Sequence, residues 1–122
     1  MSSQPQNHVR ILRRRNSLTQ QDLAFLLGSK EKSKVCRYEQ GHRIPSLRTA
    51  IALGTIFNTT VGMMFSNVQR GTRRDIVSRI TRLQSTLKER YGDDKIPAAV
   101  SRELYWLEQC RVRLIRKQHQ PA

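Results

Sequence analysis

Acidic residues are scarce in this 122-residue chain: nine Asp and Glu stand against 23 Lys and Arg, a formal charge of +14. Such a balance points to a polyanion, either nucleic acid or an anionic membrane surface. Long apolar runs are missing too, and none approaches the ~18 to 20 residues that span a bilayer, so no membrane role is expected. Cysteine occurs twice, at Cys36 and Cys110, without CxxC spacing. That excludes a disulfide scaffold and a zinc site and leaves two reduced thiols. The groups that enzymes use are also absent as constellations. His8, His42 and His119 are scattered, Asp93-Asp94 sits in a turn signal, and no glycine-rich phosphate loop or metal-ligand spacing exists. The expectation is a non-enzyme with no cofactor and no metal. MSSQPQNHVR lacks the apolar stretch of a secretory signal and no lipidation motif ends the chain, which predicts a cytoplasmic protein.

The length suits one small domain with an appendage and a modest core. The charge is not confined to a tail. Ten basic and three acidic side chains in residues 1–65, and thirteen and six in residues 66–122, leave +7 in each part. No repeat or low-complexity segment is visible.

Periodicity and capping signals divide the chain into helices. After a polar tail over residues 1–7, VRILRRR puts Val9 and Leu12 one turn apart with arginines around them, a helix over about 8–15. Thr19 with Asp22 three residues on is a capping-box pattern that starts a second helix at about residue 20. Its dense run Leu23 to Leu27 suits a helix nearly surrounded by others, and Gly28 supplies a left-handed stop. Steps of 100° over residues 31–40 place Val35 and Tyr38 on one face. Ser33, Cys36, Arg37 and Gln40 fall on the opposite face, with Lys32 at the N-terminal edge. Gly41 ends that helix, Pro45 makes a loop of HRIP, and Ser46 caps a fourth helix with the stripe Leu47, Ala50, Ile51, Leu53, Ile56 and Phe57. Gly54 within it predicts a close helix contact, because glycine there costs about 1 kcal/mol against alanine. Thr60 caps a short fifth helix that returns Val61, Met64 and Phe65 to the core.

Residues 66–71 carry turn-forming residues and are expected to be a linker. Beyond them Ile76, Ile80, Leu83 and Leu87 form a heptad-like seam. GDDK interrupts it, and Pro97 opens a last helix with the stripe Val100, Leu104, Leu107, Cys110 and Leu114. Residues 72–118 are therefore an expected αα-hairpin, followed by a tail over 119–122. The fold class is all-α.

A helix, a capped second helix, a glycine turn and a third helix with a polar outer face make a helix-turn-helix arrangement, in which the third helix enters the groove. Residues 9–65 resemble the lambda-repressor-like, Xre/Cro family of DNA-binding domains. The motifs that carry the likeness are Leu18-Thr19-Gln20, Leu23-Ala24, Leu27-Gly28, Glu39-Gln40-Gly41 and Arg43-Ile44-Pro45-Ser46-Leu47. The likeness implies a five-helix domain over residues 8–65 and double-stranded DNA as partner. It implies that Lys32, Ser33 and Arg37 contact bases. Gln20, Lys34, Gln40 and Arg43 are then backbone contacts, and Arg13 with Glu39 a structural ion pair. Arg37 is the best base reader, because a guanidinium pairs both acceptors of a guanine edge. His42 lies beside Arg43 in the same loop, and Arg14 and Arg15 are solvated or near DNA. One residue more than the usual pattern separates Gly28 from Val35, so the start of the third helix is shifted relative to the family.

The seams of residues 72–118 must be buried against something. Dimerisation matches a palindromic site, and a compatible role is a phosphate clamp using Arg73, Arg74, Arg79, Arg82, Arg111 and Arg113, with Arg116 beyond. The functional expectation is a sequence-specific transcriptional regulator acting as a repressor, of bacterial or phage type and nucleoid-associated. The rival is an antitoxin-type protein whose C-terminal helices bind a partner protein. RNA is a weaker partner, since no glycine-aromatic RNA motif is present.

Overall fold

The computed structural model describes residues 7–92 and 94–118; both expected tails, apart from Asn7, and Asp93 lie outside the described residues. Among the described residues there are seven helices and no strand: α1 (Val9–Arg15), α2 (Gln20–Leu26), α3 (Lys32–Gln40), α4 (Leu47–Phe57), α5 (Val61–Met64), α6 (Ser66–Tyr91) and α7 (Ala98–Gln118). The chain divides into two compact units, Met1–Gln69 and Arg70–Ala122.

In the first unit local chemistry sets the helix ends. The Thr19 hydroxyl accepts from the Asp22 N–H at 2.9 Å while the Asp22 carboxylate accepts from the Thr19 N–H at 3.0 Å, a complete capping box that starts α2. The Thr19 backbone hydrogen bond, and after it the hydroxyl, hold the Asp22 carboxyl below its ordinary range. Gly28 and Gly41 turn the chain after α2 and α3 with φ of +78° and +77°, a conformation that costs glycine nothing. Ser46 and Thr60 accept from Thr49 and Met63 N–H groups and open α4 and α5. Val9, Leu23, Ala24, Val35, Leu53, Met64 and Phe65 form the core. The ends of the unit are tied together as well, since the His8 N–H donates to the Met64 carbonyl at 2.8 Å. Asn7, expected in a flexible tail, instead donates to the Tyr38 carbonyl at 2.7 Å and accepts from the Val9 N–H at 3.2 Å.

Several apolar residues expected inside are outside. In α2 only Leu23 and Ala24 are buried, and Phe25 is 78% exposed with Leu26 beside it. On α4, Leu47 and Ile51 are exposed, and so is Val61 on α5. A helix of seven residues meets its neighbours along one stripe, and a unit this small has too few elements to cover the other sides. Gly54 does mark a close approach: a Cβ there would stand 2.8 Å from the Thr59 carbonyl oxygen, in the turn after α4, with the Val61 and Met64 side chains of α5 at 3.9 and 4.0 Å.

The second departure is at residues 66–71, expected as a linker and found in the first turns of α6. The Gln69 N–H donates to the Phe65 carbonyl at 3.0 Å, so the helical bonds begin as soon as α5 ends. The penalty of about 1 kcal/mol for Gly71 is small against the bonds and packing of a 26-residue helix. The unit boundary falls inside this helix.

The second unit is an αα-hairpin. Ile80 and Leu87 of α6 are buried with Leu107 and Cys110 of α7, and Tyr91, Val100, Leu104 and Leu114 pack around them. Ile76 and Leu83, expected in the seam, lie on its exposed shoulder, because two helices cover a narrower arc than a bundle does. Gly92, with φ of +67°, follows α6, and the Pro97 carbonyl accepts the Ser101 N–H at 3.0 Å as α7 opens. Across the hairpin the Gln84 amide donates to Glu108 at 3.0 Å, and Arg111 donates twice to the same carboxylate, at 2.9 and 2.7 Å. Arg111 first, and then Gln84, pull the Glu108 carboxyl down to about 2. No helix among the described residues is long and apolar enough to cross a membrane.

Candidate nucleic-acid interface

The sequence KSKVCRYEQ becomes one amphipathic helix, α3, whose Val35 and Tyr38 are buried in the first unit. At about 100° per residue, Cys36, Gln40, Ser33 and Arg37 follow one another around the opposite side. Ser33, Arg37 and Gln40 are exposed and Cys36 is half-buried. Lys32 is exposed at the N-terminal end, and Lys34 is half-buried on the other flank. Among the described residues no hydrogen bond or ion pair occupies the side chains of Lys32, Ser33, Lys34, Arg37, Gln40 or Arg43. A polar face with free donors is therefore held out by a buried apolar one.

What fixes the helix is Glu39, whose side chain is 3% exposed. Its carboxylate accepts from Arg13 Nε at 2.5 Å and Nη2 at 3.1 Å, and from Gln20 Nε2 at 3.2 Å. The remaining Arg13 nitrogen, Nη1, donates to the Leu18 carbonyl at 2.8 Å. The hydrogen bond to Glu39 raises the Arg13 guanidinium further above its ordinary range, and burial opposes it. Arg13 and Glu39 are thus a bidentate buried pair joining α1 to α3, with Gln20 adding α2.

Above this pair lies a cavity of about 350 Å³, lined by Arg10, Arg14, Gln20, Cys36 and Gln40 together with the pair itself. Of the residues singled out from sequence, Gln20 and Gln40 meet here. Ser33 and Arg37 continue along the same face of α3. Arg43 stands apart, on a smaller cavity of about 200 Å³ that it lines with Tyr38, Gly41, Ile44, Phe65 and Val68. His42 is exposed next to it, and its N–H donates to the Arg37 carbonyl at 2.9 Å. Sequence reasoning gave Arg10 no role and left Arg14 without a specific one. The available signal was their i, i+4 spacing on the helix that carries Arg13, which sets them on one face.

Among the described residues no three of His, Cys, Asp and Glu converge as metal ligands. Residues 9–63 match a family model described as Helix-turn-helix. No curated protein and no solved structure matches the chain. The first five helices are therefore a helix-turn-helix domain of the lambda-repressor-like type, followed by C-terminal helices.

Proposed function

We propose that this helix-turn-helix protein, a DNA-binding transcription regulator in general class, recognises one duplex sequence with α3 and acts as a repressor. The observation that carries the reading is the division of α3. Val35 and Tyr38 are sunk into the core, and Glu39 is clamped by Arg13 and Gln20, while the free side chains of Ser33, Arg37 and Gln40 face outward. A helix held in this way can enter a major groove without repacking. In this reading Arg37, Ser33 and Lys32 meet base edges, and Gln20, Gln40, Lys34 and Arg43 meet the backbone.

The hairpin of α6 and α7 is proposed as the homodimerising part. Trp106 and Tyr105 of α7 and Leu83 of α6 are exposed, and a two-fold protein matches two half-sites. Occupancy of a promoter by itself blocks its use, so the repressor role asks least of the protein, in a cytoplasm where the DNA is accessible. Selection of duplexes from a random pool tests the reading: it should return one palindromic motif whose half-sites are about one helical turn apart, or a multiple of that. A pool with no enrichment at low salt would remove the reading.

A further inference from the structure

The cavity above the Arg13–Glu39 pair has more positive charge than the pair can use. Each Arg13 side-chain nitrogen already makes a bond, Nε and Nη2 to Glu39 and Nη1 to the Leu18 carbonyl. Arg10 and Arg14 line the same cavity and have no ion-pair partner among the described residues. Three guanidinium groups around one carboxylate leave two positive charges uncompensated. Gln20 spends one amide hydrogen on Glu39, and the Gln40 side chain makes no bond among the described residues, so neutral donors stand beside the free cations. The volume of about 350 Å³ has room on the order of ten water molecules, enough for a tetrahedral anion with part of its hydration.

We propose that Arg10 and Arg14 of α1, with Gln20 and Gln40, form a seat for one phosphate group. A guanidinium fork matches phosphate oxygens two at a time, and the cavity walls focus the field of the unpaired charges. Glu39 also lines the cavity, but its carboxylate is paired with Arg13 and accepts from Gln20, so the cationic groups outnumber it three to one. The seat borders the outward face of α3, because Cys36 and Gln40 form its wall and Ser33 and Arg37 continue around the same side. A strand whose bases face Arg37 thus carries a phosphodiester past it. The duplex form of this inference rests on the DNA-binding reading, while a free phosphate has the same chemistry and does not.

The test uses the full chain carrying Arg10→Ala and Arg14→Ala, with Arg48→Ala and Arg102→Ala together as a control of equal charge at exposed positions outside the cavity. An unchanged melting temperature checks the fold. On a random-sequence duplex, the slope of log affinity against log salt should flatten by about 0.9 per lost phosphate contact relative to the control, with the selected motif unchanged. In the second arm, inorganic phosphate is titrated at constant ionic strength while the Gln20 and Gln40 side-chain amide resonances are followed. Saturable shifts that vanish in the variant assign the seat to free phosphate as well. A slope equal to the control together with unaltered phosphate titrations overturns the seat. A wild-type chain that ignores duplex sinks the functional reading instead, and the phosphate arm then decides the seat alone.

Discussion

Glu39, next to last in α3, accepts three hydrogen bonds at once, two from Arg13 of α1 and one from Gln20 of α2. The side chain that orients the outward helix is therefore shared by all three helices of the motif. Glu39→Ala leaves the Arg13 cation, itself 8% exposed, without its acid, and should cost about 3 to 5 kcal/mol. Replacing both partners, Arg13→Met with Glu39→Leu, should recover much of that loss, because a buried pair often gives no net gain over apolar residues of similar volume. Denaturant unfolding followed by circular dichroism measures both. Equal losses in the single and double variants would show that the pair is not what is being removed.

Arg37 and Arg43 are both exposed and both unpaired among the described residues, but their surroundings differ. Arg37 lies on the outward face of α3, whereas Arg43 lies beyond Gly41 on a separate cavity. Arg37→Ala should lower specific binding by about 1 to 3 kcal/mol and relax preference at one base position, while Arg43→Ala should weaken all sequences alike and flatten the salt slope. Motif selection with each variant, at two salt concentrations, distinguishes them. An unchanged motif for Arg37→Ala removes the base-reading assignment.

Gly54 sets helix propensity against packing. Alanine in a helix interior gains about 1 kcal/mol over glycine, yet a Cβ here would stand 2.8 Å from the Thr59 carbonyl oxygen, which is backbone and cannot rotate away. Overpacking of this kind costs about 1 to 3 kcal/mol, so Gly54→Ala should destabilise the first unit. A higher melting temperature for this variant would contradict the close approach.

Glu108 ties α7 to α6 through Gln84, and its folded carboxyl is held at about 2 against an ordinary 4.5. The sign follows from that depression. The contribution is fully present above about pH 4.5, where the unfolded side chain is also ionised, and is lost as pH falls through the folded value near 2. Melting curves at intervals across that window should show the hairpin weakening with acid. Glu108→Gln, which accepts no proton there, should flatten this part of the profile, and a profile identical to the wild type would show that the network carries none of it.

Much of the first unit was legible because its signals are local. Thr19 and Asp22 are three residues apart, and a capping box needs nothing beyond that turn. Gly28 and Gly41 announce left-handed stops by their lack of a side chain. The split of α3 into Val35 and Tyr38 against Ser33, Arg37 and Gln40 follows from the period of the helix alone. The same reasoning failed at Phe25, Leu47 and Ile51, because period places a residue on a side of a helix without saying whether another element covers that side. It failed again at residues 66–71, where Ser66, Asn67 and Gly71 look like a turn but continue the backbone bonds of a long helix. The cavity shared by Arg10, Arg14, Gln20 and Gln40 could not be found from spacing, since three separate helices supply its walls.

The amino-acid order by itself determined where the helices of the first unit start and stop, which side of α3 is polar, and that the net charge favours a polyanion. These depend on bonds within a turn and on total charge. Only the tertiary structure decided which apolar faces are covered, that Gln20 joins the expected Arg13 and Glu39 pair, and that two arginines of α1 open onto the same cavity as the edge of α3. Such relations join residues about 20 to 30 positions apart, and they arise only when helices pack and their side chains meet across the gap.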